Sequence, residues 1–180
     1  MALDELRLEA RTPDATRGIG ESIAGLLRAG DAVVLTGELG AGKTTLVQGV
    51  ARGLGVDDHV ASPTFTLVKE YRGRLDLAHV DVYRLRRMQD VVDLGLDELV
   101  ADGAVLLVEW GDAVEELIGD DRLTIELTTV DLPGDPSGDS CGDLARGDET
   151  RRIALRPDGA SWVERWSHVT DALAPWRSPS

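Results

Sequence analysis

The sequence predicts an α/β fold, with a mostly parallel central sheet flanked by helices, an antiparallel hairpin and further strands added late in the chain. Three observations carry that prediction. Ala32 to Thr36 is a short apolar, β-branched stretch that runs straight into a glycine-rich turn and then a helical pattern. Ala104 to Val108 is a continuous apolar run of strand length, as expected of a strand covered on both faces. Thr66 to Tyr71 and Leu75 to Tyr83 flank Arg72-Gly73-Arg74, which is a hairpin signal. At 180 residues the chain is expected to form a single domain spanning residues 1–180.

The first helix is signalled by Thr12-Pro13-Asp14, a hydroxyl N-cap followed by proline and an acid that the helix dipole favours. Ile19, Ile23, Leu26 and Leu27 follow at helical spacing, and Gly30 stops the run. The helix after the glycine-rich turn is expected to reach about Arg52, with Gly53 and Gly55 ending it. Val91 to Ala101 suits another helix, with Val92, Leu96, Leu99 and Val100 on one face. Leu123, Ile125 and Leu127 alternate with polar residues in the manner of a half-exposed strand, and Arg152 to Arg156 alternates likewise. Between them Asp131 to Glu149, rich in Gly, Asp, Pro and Ser, reads as a flexible acidic loop. Trp162 to Leu173 suggests a terminal helix.

Composition narrows the function classes. The hydrophobic fraction is 42%, yet no apolar run approaches the roughly 18 to 20 residues that cross a bilayer. No membrane association is expected. The opening residues, Met1-Ala2-Leu3-Asp4-Glu5, are acidic and lead into no apolar stretch, so a cytoplasmic location is expected. Cys141 is the one cysteine and reads as an incidental thiol. A net charge of −14 repels polyanions and argues against a broad direct nucleic-acid face. Only Lys43 and Lys69 are lysines, the other 17 of the 19 basic side chains being arginine. A lysine kept where arginine is otherwise used suggests a need for a compact point charge.

Lys43 lies in Gly37-Glu38-Leu39-Gly40-Ala41-Gly42-Lys43-Thr44, which satisfies G-x-x-x-x-G-K-[ST] between a buried strand and a helix. The glycines let successive N–H groups converge on one concavity, and the helix dipole adds positive character there. Phosphate oxygens fit such a place. Lys43 is expected to reach the β and γ phosphates, Thr44 to offer its hydroxyl to Mg2+, and Thr45 to touch the α phosphate. The fold is therefore expected to be P-loop NTPase-like.

A Mg2+ site also needs an acid at the end of a neighbouring strand. Glu109, after Val105-Leu106-Leu107-Val108, has the position of a Walker B acid that binds metal through water or orients the attacking water. Asp81, after Leu77-Ala78-His79-Val80, is the second candidate. Thr64, in Ser62-Pro63-Thr64-Phe65-Thr66, stands where many such proteins carry a loop that senses the γ phosphate. Trp110 beside Glu109 reads as core more readily than as a ligand. The histidines lack metal-ligand spacing, with His79 expected in or beside the sheet. Arg84, Arg86 and Arg87 read as a solvated turn ahead of an arginine finger. Neither lysine is followed two residues later by aspartate, so the guanine-specifying Asn-Lys-x-Asp element is absent and ATP is favoured by elimination.

Four blocks together resemble a known family: the P-loop segment through Thr45, Ser62-Pro63-Thr64-Phe65-Thr66-Leu67-Val68, His79-Val80-Asp81-Val82-Tyr83-Arg84-Leu85, and Leu107-Val108-Glu109-Trp110. The chain is similar, over about residues 12 to 115, to TsaE, the P-loop ATPases of bacterial tRNA threonylcarbamoyladenosine synthesis. The resemblance implies that Thr44 and Glu109 bind Mg2+, that Asp81 and Thr64 approach the metal and the γ phosphate, and that Trp110 belongs to the functional block. It implies an adenine bordered by the helix near Asp14 to Thr16. It further implies ATP hydrolysis while docked on the TsaB and TsaD pair, with tRNA reached only through that complex. The loop from Asp131 to Glu149 is longer than the family pattern and blurs the alignment of a late arginine near the nucleotide, for which Arg152 is the candidate. Two other readings share the P-loop. One is a small-molecule kinase, which needs an acceptor pocket and an arginine-bearing lid; the other is a nucleotide-gated interaction module without required turnover.

Overall fold

A computed structural model describes residues 5–63, 66–83, 92–110, 118–130 and 150–178. Thr64, Arg84, Arg86, Arg87, Cys141 and the whole stretch from Asp131 to Glu149 lie outside the described residues. Seven strands form one sheet in the order β1-β7-β6-β2-β5-β4-β3. These are β1 Leu6–Ala10, β2 Ala32–Thr36, β3 Val68–Tyr71, β4 Leu77–Asp81, β5 Val105–Glu109, β6 Arg122–Val130 and β7 Thr150–Asp158.

The four central strands, β6, β2, β5 and β4, run parallel. Each flank is antiparallel, the β3–β4 hairpin on one side and β6–β7–β1 on the other. The parallel centre has its physical reason in the apolar runs: all five residues of β4 and of β5 are buried, as strands covered on both faces must be. On one face Val33, Leu35, Val105, Leu107, Leu123 and Ile125 meet α1 (Pro13–Ala24) and α2 (Lys43–Gly53). On the other, Ala78, Val80, Leu106 and Val108 meet Leu96 of α3 (Leu96–Ala101).

Helix α1 starts where the hydroxyl N-cap predicts, with Thr12 Oγ1 accepting from the Ala15 N–H at 3.1 Å and Pro13 at the first position. It ends at Ala24, short of Leu26 and Leu27, which pack beyond its C-cap at Gly25. Helices α1 and α2 pack backbone to backbone because Gly20 and Gly49 lie at the crossing. A Cβ on Gly20 would collide with the Leu46 carbonyl, and one on Gly49 with the backbone of Arg17. That close approach carries the start of α1 to the glycine-rich turn that opens α2.

Three expectations change in the structure. Strand β1 was not anticipated, although Leu6-Arg7-Leu8-Glu9-Ala10 alternates, because its partner β7 lies far along the chain. Of the helix expected from Val91 to Ala101, Val91 lies outside the described residues, Val92 is helical, and a turn through Gly95, left-handed at φ 65°, precedes α3. The terminal helix is two, α4 (Ala160–Glu164) and α5 (Trp166–Ala172), broken at Arg165. There the guanidinium turns inward to pair with Asp31, and a short 3-10 turn over Ala174–Trp176 follows α5. No described helix is long and apolar enough to cross a membrane.

Candidate functional site

Parallel strands end at a common edge, so Thr36 of β2, Asp81 of β4 and Glu109 of β5 arrive together, with α2 beginning above them. In open α/β sheets this is where ligands bind. A cavity of about 430 Å³ opens there, lined by Leu39, Gly40, Gly42, Lys43, Thr44, Thr45, Ser62, Asp81, Tyr83, Glu109 and Trp110. A larger concavity of about 550 Å³ lies elsewhere, on the solvent-facing side of β6 and β7. Its lining is a mixture of surface acids and arginines, without a glycine-rich turn or a helix start, so the smaller cavity is the chemical candidate.

The turn from Gly37 to Gly42 uses backbone conformations that only glycine adopts without strain. Gly37, Gly40 and Gly42 have φ of 128°, 84° and 105°. Gly37 is also obligatory sterically, since a Cβ there would strike the Leu127 carbonyl on β6. Within the turn the Ala41 N–H bonds the Glu38 carbonyl at 3.1 Å. Gly42 caps α2 in left-handed conformation, with no side chain satisfying the first N–H groups of the helix. Such a helix start offers donors and positive dipole to an anion.

Lys43 is only 4% exposed. Its ammonium donates to the carbonyls of Gly37 at 2.6 Å and Glu38 at 2.9 Å, and it stands 3.6 Å from the centre of the Trp110 ring. Tyr83 packs against the same ring, centroids 4.7 Å apart. The lysine is thus held across the turn that its chain neighbours build.

The acids form the opposite wall. Glu109 Oε1 accepts from the Thr44 hydroxyl at 2.8 Å, joining β5 to the first turn of α2. Asp81 Oδ2 accepts from the Ser62 hydroxyl at 2.7 Å, and its Oδ1 accepts from the Tyr83 N–H at 3.1 Å. Asp81 and Glu109 are register partners on adjacent strands, both about 95% buried. Two carboxylates so placed repel each other unless a cation or donors come between them.

Among the described residues, the two non-glycines in left-handed conformation are Leu67 at φ 64° and Trp110 at φ 62°. Both adjoin these acids. Leu67 accepts through its carbonyl from the Asp81 N–H at 2.9 Å, and Trp110 follows Glu109 directly and bonds the Leu35 carbonyl through its N–H at 2.8 Å. Strain of this kind, about 1 to 3 kcal/mol per residue, persists where the surroundings fix it and clusters at functional sites.

The structure brings together Gly37, Gly40, Gly42, Lys43, Thr44, Thr45, Asp81 and Glu109. Glu38 contributes its backbone carbonyl, Ala41 is buried in the turn, and Leu39 is 81% exposed at its tip. Asp14 lies at the start of α1, exposed and paired with Arg17 at 2.7 Å. Thr16, two residues on, is the residue of α1 that approaches Gly42. Thr64 lies outside the described residues.

Arg152 is not brought to the loop. It points to the solvent-facing side of β7 with Glu126 and Thr128, whereas Arg151 stands beside Gly42, 3.7 Å from where a Cβ would be. The reason was readable in the strand period: Ile153 and Leu155 face the core, so Arg151 shares their side and Arg152 takes the other. Ser62, Tyr83 and His79 join the site without having been singled out for it. His79, expected in or beside the sheet, is fully buried with its Nε2 2.9 Å from Glu109 Oε1.

The donor set is hydroxyl and carboxylate oxygen, which suits a hard cation such as Mg2+. No group of three His, Cys, Asp or Glu among the described residues could hold a metal by itself.

Comparison with known proteins gives one consistent result. Residues 10–133 match the family model of TsaE, threonylcarbamoyl adenosine biosynthesis protein. A tRNA threonylcarbamoyladenosine biosynthesis protein TsaE of Treponema pallidum is 43% identical over 125 residues, covering 69% of this chain and 93% of the relative. One from Streptomyces coelicolor is 41% identical over 151 residues, 82% of this chain and 93% of the relative. A crystal structure of Bacillus subtilis YdiB superposes with a TM-score of 0.72 at 32% identity, over 97% of each chain.

Proposed function

The chain belongs to the TsaE family of threonylcarbamoyl adenosine biosynthesis proteins, and from that premise we propose that it binds Mg–ATP on the loop Gly37 to Thr44 and hydrolyses it slowly. We further propose that it does so docked on the TsaB–TsaD pair, which carries out the tRNA modification. The observation that carries this reading is the convergence of a buried lysine, a helix-start hydroxyl and two strand-end carboxylates on one cavity.

In this reading the N–H groups at the start of α2 and the Lys43 ammonium receive the β and γ phosphates, where partial and full positive charge offset the triphosphate. To do so the ammonium exchanges the carbonyls of Gly37 and Glu38 for phosphate oxygens. Thr44, with Glu109 or Asp81, would hold Mg2+, which neutralises charge on the β and γ oxygens. The acid that does not bind the ion orients the attacking water. Arg151 beside Gly42 takes the place assigned to Arg152 as the late arginine near the phosphates. Adenine is favoured over guanine because neither lysine stands in an Asn-Lys-x-Asp element.

The net charge of −14 supports contact with a protein partner rather than with tRNA directly. Reconstitution of tRNA threonylcarbamoylation from TsaB and TsaD, with and without this chain and with hydrolysable or non-hydrolysable ATP, tests the proposal. It predicts repeated product formation only with this chain and hydrolysable ATP. Product formation independent of the chain refutes the pathway role, and phosphate appearing on an added metabolite favours the kinase reading instead.

A further inference from the structure

We propose that His79 is the positioning residue for Glu109, holding its carboxylate in the orientation that nucleotide hydrolysis requires. This rests on the nucleotide reading above but goes beyond it. His79 sits in the middle of β4, on the α2 side of the sheet with Asp81, and none of its side chain reaches solvent.

An ionised carboxylate only accepts, so the 2.9 Å contact assigns the hydrogen to Nε2 and makes His79 the donor to Glu109 Oε1. That oxygen also accepts from Thr44 at 2.8 Å. The clamp therefore closes on Oε1 from two elements, β4 and α2. Both bonds fall on one oxygen, leaving Oε2 outside the clamp on a residue that lines the cavity. The two anchors differ in kind. The Thr44 hydroxyl sits at the cavity and can lend its oxygen to a cation, whereas His79 is locked inside the sheet and keeps the carboxylate aimed whatever occupies the cavity.

The second observation is what this placement costs. Among the described residues His79 Nδ1 is buried without a hydrogen-bond partner. A buried polar atom left unpaired is unfavourable, and an apolar side chain of similar size would fill the same space without that penalty. Among the described residues its one hydrogen bond is the contact through Nε2. Partners that fix the orientation of a functional group typically matter by about tenfold to a hundredfold in affinity or activity.

The test uses two variants of the full chain in Mg–ATP turnover. Glutamine places an N–H near the Nε2 position, and methionine has similar reach without a donor. His79→Met is expected to lower kcat by about tenfold to a hundredfold with KM for ATP changed less than about threefold, and His79→Gln to recover at least about a third of the wild-type kcat. Equal kcat in His79→Met and wild type overturns the proposal, and so does an equal fall in both variants, which marks a role in packing alone. Should His79→Met not fold, the wild-type His79 Nε2–H proton resonance decides: it is expected downfield and lost in Glu109→Ala, and its persistence there overturns the proposal. A wild-type chain that does not turn over ATP refutes the nucleotide reading instead, which separates the two failures.

Discussion

Strand β2 has a buried polar cluster at each end, and the two are built from similar materials to opposite effect. Before its first residue, Asp31 meets Arg165 in a two-pronged ion pair, Nη1 to Oδ2 at 2.9 Å and Nη2 to Oδ1. Asp31 also accepts from the Arg28 N–H at 2.8 Å, and the guanidinium lies 3.7 Å over the Trp162 ring. This cluster pairs cation with anion and lays the guanidinium on an aromatic face, with Arg165 Nε left without a hydrogen-bond partner among the described residues, and it ties the C-terminal helices to the sheet. After its last residue, Lys43, Thr44, Asp81 and Glu109 line a cavity, two acids stand side by side, and Trp110 is held at φ 62°. One cluster has its charges matched within the chain; the other keeps them in an arrangement that a polyanion and a cation would complete. The difference marks a structural lock apart from a candidate binding site more surely than burial does, since both are buried.

The comparison breaks most easily at the lock. Arg165→Met leaves the Asp31 carboxylate buried without its cation, with the Arg28 N–H still donating to it, which should cost about 3 to 5 kcal/mol of stability. Urea unfolding should show that loss while ATP affinity of the folded protein stays within about threefold. A loss of stability under 1 kcal/mol would mean that the pair is not a lock.

At the other end the order of effects reverses. Glu109→Gln keeps the shape and an acceptor for His79 and Thr44 but removes the charge, and ATP turnover should fall by about a hundredfold or more. Stability should not fall with it. Because Asp81 and Glu109 are register partners, the metal-free variant should gain up to about 1 kcal/mol from relief of like-charge repulsion. Thermal unfolding in a chelator checks this, and a clear destabilisation would place Glu109 with the structural residues.

The sequence shows the functional end of β2 far better than the structural end. Gly37 to Thr44 is local, so its spacing alone gives the turn, and the strand ends at Asp81 and Glu109 follow from the apolar runs before them. Asp31 and Arg165 are 134 residues apart, and nothing nearby marks either as paired. The same limit hid His79, whose partner comes from another strand, and β1, whose partner β7 lies far along the chain. Arg152 follows from a family pattern whose alignment the loop from Asp131 to Glu149 blurs, whereas the two-residue period of β7 points to Arg151.

Calorimetric titration of the chain with ATP, with and without Mg2+, beside Lys43→Ala, tests the central claim most directly. Loss of the charge-assisted contacts of Lys43 should cost about 1.5 to 3 kcal/mol, or about tenfold to a hundredfold in affinity. Binding that needs the loop should therefore weaken by that factor in Lys43→Ala and strengthen with Mg2+ in the wild type. ATP binding unchanged by Lys43→Ala would contradict the site itself.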